Sequence, residues 1–241
     1  SFYRSFYRIS FRISLMKSWQ IHHIRDSAES VHSRELPAER SIWRASITES
    51  AIVLGSKQSF DIVNQQACDD DLVSVVRRRS GGGVVFLGVN HHLWIDLVIE
   101  RDDILWSDDI GRSMWWVGDL WAAALAENDV ASRDQLIVHR GGLERNEISD
   151  LVCFAGLGPG EVTLHGKKLV GISQRRTREM ARFQCVLHSR WSTEAYEKYL
   201  DFEKLSGTKK VIGSDFNSIQ TGVSGGLNEI ANSLINLAKS L

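Results

Sequence analysis

The chain has 241 residues, 43% of them hydrophobic and 24% charged, enough to bury one sizeable core with at most a small appendage. Its 29 basic and 30 acidic side chains leave a formal net charge of −1, which removes any whole-molecule case for binding nucleic acid or a membrane surface. Cys68, Cys153 and Cys185 are far apart and form no C-x-x-C pair, which excludes a disulfide framework and a cysteine zinc site and fits a reducing, cytoplasmic setting.

The first fifteen residues, "SFYRSFYRISFRISL", are a basic, serine-rich, acid-free near-repeat. Residues 1–15 therefore read as a non-native or disordered extension ahead of a start at Met16, although a transit peptide has the same features. From Ile21 to Leu36 the stripe Ile24, Ala28, Val31 and Leu36 predicts a helix stopped by Pro37. "AIVLG" (Ala51 to Gly55), "LVSVVRR" (Leu72 to Arg78) and "VVFLG" (Val84 to Gly88) read as strands. "HLWIDLVIE" alternates Leu93, Ile95, Leu97 and Ile99 with His92, Trp94, Asp96 and Val98, a strand with one wet or ligand-facing side. Ser107, Asp108 and Asp109 make a good helix start, and Ile110, Met114, Val117, Trp121, Ala124 and Leu125 continue it to about Asn128. Five of the eight tryptophans lie between Trp94 and Trp121 and are expected in the core.

Short strands follow at Leu136 to His139, Leu151 to Ala155, Glu161 to Leu164, Lys168 to Gln174 and Phe183 to His188. A helix is expected near Thr193 to Leu200. Residues 206–241 read as a loop followed by a C-terminal helix from Leu227, packed on the same domain. Strand clusters between long helices predict an α+β fold with a mixed, largely antiparallel sheet flanked by helices.

Metal ligation is not expected, because His22-His23 and His91-His92 lack ligand spacing. "GLGPG" (Gly156 to Gly160) lacks the following helix that a dinucleotide fingerprint requires. Two stretches remain. "VVRRRSGGGVVFLG" sets three arginines against three glycines, either as a plain hairpin turn or as a wall where a ligand meets the main chain. "HGKKLVGISQRR" alternates so that Lys168 points into a pocket while Lys167 stays in solvent, and the compact ammonium would stabilise developing negative charge. Two glycine-plus-basic stretches in sheet are what a cleft for an anionic ligand needs.

"RRRSGGGVVF" resembles the R-R-x-S-G-G-G-[AV]-V motif of lipoate-protein ligases, and "GKKLVGISQRR" resembles their G-x-K-[IVF]-x-G-[SI]-[AS]-Q-R segment. The likeness runs from about Trp19 to Leu200 and implies a biotin/lipoate protein ligase catalytic domain over 16–205, similar to the class II aminoacyl-tRNA synthetase core. It implies activation of lipoate or octanoate by ATP and Mg²⁺ to an acyl-adenylate. The acyl group then passes to a lysine of a lipoyl domain, in a 2-oxoacid dehydrogenase complex or glycine cleavage H protein. By the same resemblance Arg78, Ser80, Gly81, Gly82 and Gly83 line the acyl and adenylate pocket, Lys168 sits at the acyl carbonyl and phosphate and neutralises charge as the acyl bond forms, and Gly171 and Ser173 share that wall. Apolar Val85, Phe86 and Val170 would suit an eight-carbon chain.

The likeness has departures. The usual H-D-x-G-N after the glycines is replaced by "LGVNHHLWID". "GISQRR" also resembles the octanoyl and lipoyl transferases of the superfamily, some with a cysteine where Cys153 stands, so an ATP-independent transfer from an acyl carrier protein through a Cys153 thioester is the alternative. A buried strand cysteine is the plain reading of Cys153. A third expectation is a non-catalytic acyl- or adenylate-binding relative.

Overall fold

The computed structural model describes residues 17–146, 148–201, 204, 222–224 and 226–241. The expected extension at 1–15 and most of the expected loop over 206–226 lie outside the described residues. The main sheet has seven strands: β1 (Gln20–Asp26), β2 (Ser41–Ile47), β6 (His92–Glu100), β10 (Met180–His188), β9 (Lys167–Arg176), β8 (Val162–Leu164) and β7 (Leu136–Val138), in that order across it. Only β1 and β2 run parallel; every other pairing is antiparallel. A second sheet holds β4 (Ser74–Arg77), β3 (Ala51–Leu54) and β5 (Val85–Leu87), with β3 central. The fold is thus α+β with a mixed, mostly antiparallel main sheet.

Alternation along the strands divides the core. Leu93, Ile95, Leu97 and Ile99 of β6, with Phe183 and Cys185 of β10, face α3 (Trp115–Glu127) and the last helix, here α5 (Leu227–Ala238). The opposite face carries Trp94, packed with α1 (Ala28–Ser33) and with Val53, Val85 and Leu87 of the small sheet. The far side of the small sheet is covered by α2 (Gln65–Asp70) and α4 (Thr193–Tyr199) through Ile52, Leu54, Tyr196 and Tyr199. Among the described residues no helix is long and apolar enough to cross a membrane.

Four local expectations are corrected. The helix expected from Ile21 to Leu36 is split: Gln20–Asp26 forms β1, whose whole length pairs with β2, and only Ala28–Ser33 is helical. Ser27 caps that helix by accepting from the Ser30 amide. The helix expected from Ser107 begins at Trp115, because Asp109 accepts from Arg112 N and Ser113 N and closes a 3₁₀ turn first. The expected strand Leu151 to Ala155 is a chain of tight turns ending in a 3₁₀ turn at Cys153–Ala155; only Val152 makes a bridge, to Val84. Finally, the side of β6 expected to be wet or ligand-facing is not wet, since Asp96 is buried in an ion pair with Arg182, while Trp94 on that side lines a cavity.

Three histidines are enclosed by this packing. Burial pushes His92 down to about 4 and His188 to about 3; burial, then the nearby Arg78 and Arg182, brings His32 to about 3. Below the unfolded value near 6.5 the unfolded chain binds protons that the folded chain does not, so stability falls as pH drops from about 6.5 toward 4. Thermal melts at pH 7.5, 6.0 and 5.0 are expected to show a stepwise decrease in Tm, and a His188→Gln variant a smaller one. A pH-independent Tm over that range would contradict neutral burial.

Candidate active site

Between the main sheet and the small sheet lies a cavity of about 700 Å³. Its apolar side is made by Val53, Val85, Leu87, Trp94 and Val186. Lys57, Gln58, Glu144 and Arg145 stand at its polar side, beside Ile110 and Leu143, which are exposed.

The triple-glycine stretch forms one wall. Arg78 is 7% exposed, and its guanidinium donates from Nε and Nη2 to the Gly81 carbonyl (3.2 and 2.9 Å) and from Nη2 to the Gly83 carbonyl (2.8 Å). Those donors hold the loop in shape. Gly82 has φ of +94°, and a Cβ there would lie 3.0 Å from Arg78 Nη2 and 3.4 Å from the Cys153 sulfur. Gly83 faces away from the cavity against a neighbouring backbone: a Cβ would meet Leu151 and Val152 main-chain atoms at 2.6 Å. Val84 N donates to Leu151 O (2.6 Å), and Cys153 N to Val84 O (3.0 Å). The glycine stretch is thereby stapled to the segment that presents Cys153.

Cys153 is half-buried and lines the cavity. The floor beside it is Lys168, 3% exposed, whose Nζ donates to the Cys153 carbonyl (3.1 Å) and pairs with Glu161 Oε2 (2.7 Å). The Phe154 ring lies 5.2 Å from the ammonium. The β8–β9 hairpin brings the pair together, with His165 and Gly166 of its turn both left-handed (φ 51° and 75°) and Thr163 opposite Lys168. Glu161 also accepts from Gly158 N (2.6 Å) and Ile172 N (3.1 Å), so its carboxylate is held from three sides. Among the described residues no three His, Cys, Asp or Glu side chains gather as a metal ligand set.

Residues 28–228 match the family model of the lipoyl protein ligase A/B catalytic domain. The chain belongs to this family. The family's fold agrees with similar solved structures. One is a bi-partite lipoate protein ligase from Thermoplasma acidophilum, studied with its E2 lipoyl domain, at TM-score 0.65 and 13% identity over 93% of this chain and 83% of that one. Another is a putative lipoate protein ligase of T. acidophilum with bound lipoic acid, at TM-score 0.65 and 14% identity over 92% and 85%. A third is lipoate-protein ligase A bound with ATP, at TM-score 0.64 and 12% identity over 92% and 85%. No curated protein matches the sequence. Members of this family are enzymes of protein lipoylation, ligases or transferases.

Of the residues that the lipoyl ligase resemblance singled out, Arg78, Gly81, Gly82, Val85, Cys153, Lys168, Gly171 and Ser173 line one cavity. Four do not. The carbonyl of Ser80 receives Ser56 N, and Gly83 packs on Leu151 and Val152. Phe86 stacks on Tyr199 across the small sheet, and Val170 joins the core under α3. Strand alternation accounts for the last two: Phe86 stands between Val85 and Leu87, which turn to the cavity, and Val170 precedes Gly171, which does the same. Lys167, expected in solvent, is half-buried. Arg77 donates to Gln58 O and lies over Phe60, while Arg79 and Arg175 share Glu35.

The reading by residue type passed over Glu161 and His32, both in the cavity wall. A carboxylate seven positions before Lys168, across a His-Gly turn, was a usable signal for Glu161. His32 had none, since its position depends on α1 docking over Trp94 (ring centroids 4.4 Å apart).

Gly83→Ala is expected to destabilise by about 1–3 kcal/mol, because a methyl cannot enter against the Leu151 carbonyl without shifting the Cys153 segment. Gly81→Ala meets nothing within 4 Å and should melt within about 0.5 kcal/mol of the parent. Thermal melts of both check this; equal losses would refute the stapling.

Proposed function

We propose that this family member transfers a lipoyl or octanoyl group from a thioester donor to a lipoyl-domain lysine, with Cys153 as the intermediate carrier. The observation that carries the reading is the shared cavity of Cys153 and Lys168, with the sulfur beneath Gly82 and the ammonium bound to the carbonyl of the same cysteine. An acyl chain would lie along Val53, Val85, Leu87, Trp94 and Val186, which offer an apolar surface to eight carbons.

The thiolate of Cys153 attacks the thioester carbonyl, and the free N–H of Lys168 donates to the oxygen as charge develops. The donor carbon–sulfur bond breaks, the donor leaves as a thiolate that takes up the proton Cys153 gave up, and the acyl group stays on Cys153. The ε-amine of the acceptor lysine then attacks the new thioester, forms the amide, and returns the thiol. The donor is an acyl carrier protein thioester, and the acceptors are lipoyl domains of 2-oxoacid dehydrogenase complexes or the glycine cleavage H protein. The T. acidophilum ligase studied with its E2 lipoyl domain supports an acceptor of this kind.

Charge favours this order over adenylation. Lys168 and Glu161 cancel at 2.7 Å, so that pair offers a phosphate no net cation and leaves Arg78, held by the Gly81 and Gly83 carbonyls, as the buried cation of the wall, whereas a neutral thioester needs only a donated hydrogen bond. A second reading, ligation of lipoate or octanoate with ATP and Mg²⁺, rests on Lys57 and Arg145 at the polar side, which would meet a polyphosphate beside Gly81 and Gly82.

The test has two arms with one acceptor, an apo lipoyl domain: an octanoyl-carrier thioester without ATP, and octanoate with ATP and Mg²⁺. Transfer in the first arm with an octanoyl adduct on Cys153 supports the proposal. Transfer in the second arm alone replaces it with the ligase reading, and transfer in neither leaves an acyl-binding relative.

A further inference from the structure

We propose that Glu161 is the positioning residue of this site, fixing the Lys168 ammonium so that one N–H is directed at the acyl carbonyl. The inference rests on the role given to Lys168 above. A lysine ammonium has three donors and rotates freely about its last bond. Here one N–H is held by Glu161 Oε2 at 2.7 Å and a second by the Cys153 carbonyl at 3.1 Å. Tetrahedral geometry then sets the direction of the third, which has no hydrogen-bond acceptor among the described residues beside the Phe154 ring 5.2 Å from the ammonium, and Lys168 lines the cavity.

The carboxylate is itself immobilised. Gly158 N and Ile172 N bind its two oxygens from the glycine-rich turn and from β9, and the side chain is 6% exposed. Glu161 and Lys168 thus form a rigid unit built on one hairpin. A surface ion pair would be loose and worth little; this one is enclosed, and two backbone amides hold its carboxylate besides the ammonium. Without Glu161 the ammonium is left with a single protein acceptor and swings away from the carbonyl by an ångström or so, enough to cost on the order of 100-fold in rate. The acyl chain does not touch Glu161 in this scheme, so donor binding should be preserved.

The experiment is a double-variant cycle of Glu161→Gln, Lys168→Met and the pair, with Glu161→Asp as the charge-retaining control. It uses whichever donor the wild type accepts, thioester or octanoate with ATP. Glu161→Gln is expected to lower kcat about 100-fold with KM for the donor within about threefold. In the Lys168→Met background the same change should add nothing, because Glu161 acts through Lys168. Glu161→Asp should regain at least about tenfold over the glutamine variant. A folded Glu161→Gln with near wild-type kcat, or losses that multiply in the pair, would overturn the assignment. If Glu161→Gln does not fold, the cycle run with Glu161→Asp decides on the same grounds. The ¹⁵N resonance of the Lys168 ammonium is independent of activity: it is expected to be sharp and slowly exchanging in the wild type and lost in Glu161→Gln. Its persistence there would also overturn the proposal, whereas transfer from neither donor with the resonance behaving as expected would count against the functional reading alone.

Discussion

Cys153→Ala is expected to abolish transfer from an octanoyl thioester, by on the order of 10³-fold or more, while the protein stays folded. The loss is large because no other thiol can take its place: Cys68 and Cys185 are buried, and burial pushes both thiols up, Cys68 to about 11 and Cys185 higher still. The effect on stability is small because the side chain is only half-buried, so removing one sulfur should cost about 1 kcal/mol or less. Its structural work is done by backbone atoms that alanine retains, the amide bound to Val84 O and the carbonyl bound to Lys168 Nζ. Intact-protein mass spectrometry after mixing with donor, followed by a melt, reads both effects. Undiminished transfer by Cys153→Ala would remove the step on Cys153 and leave direct transfer from the donor thioester to the acceptor lysine, with Lys168 at the carbonyl.

Arg182→Met should lower stability by about 3–5 kcal/mol, a fall in Tm of about 10 °C for a chain of this size. The guanidinium is 1% exposed and donates from Nε and Nη2 to Asp96 Oδ2 (2.8 and 2.5 Å), from Nη1 to Arg34 O (2.8 Å) and from Nη2 to Val31 O (2.9 Å). Asp96 also receives Trp94 Nε1 at 2.8 Å, and burial raises its carboxyl above the usual carboxylate range against the pull of Arg182. This group ties α1, with its His32, to the main sheet behind the cavity. Removing the arginine leaves a buried carboxylate without its cation and frees two helix-end carbonyls. Adding Asp96→Leu should recover part of the loss, since no lone charge then remains. A melt of the double variant as low as the sum of the singles would argue that the two groups act independently.

Much of the fold was readable along the chain, and the errors share a cause. Val162–Leu164, Lys167–Arg176 and Met180–His188 appear where β-branched alternation puts them, because a strand's period of two is a local property. The stripe of Ile24, Ala28 and Val31 also satisfied a helical period, yet Gln20–Asp26 became a strand because β2 offers it a continuous row of backbone partners. Leu151 to Ala155 has strand composition but is held in turns by the Asn146 side chain, whose Nδ2 donates to Ala155 O, and by the glycine stretch beside it.

For the site, residue types and order along the chain were enough to single out the triple glycine and Lys168, because their chemistry belongs to each motif separately. Cys153 and the family came from the resemblance of those motifs to the lipoyl ligases and transferases. Three things depended on the tertiary structure. Arg78 holds its own loop and does not present its Nε and Nη2 to a ligand, since the Gly81 and Gly83 carbonyls curl back onto it. Cys153 reaches the cavity because Val84 staples its segment to a strand about seventy residues earlier. Glu161 meets Lys168 because a left-handed two-residue turn folds β8 back onto β9, and the low dielectric around them makes that contact decisive. Local pattern can specify a strand or a motif; which charges end up facing one another in a closed space is set by packing between distant segments.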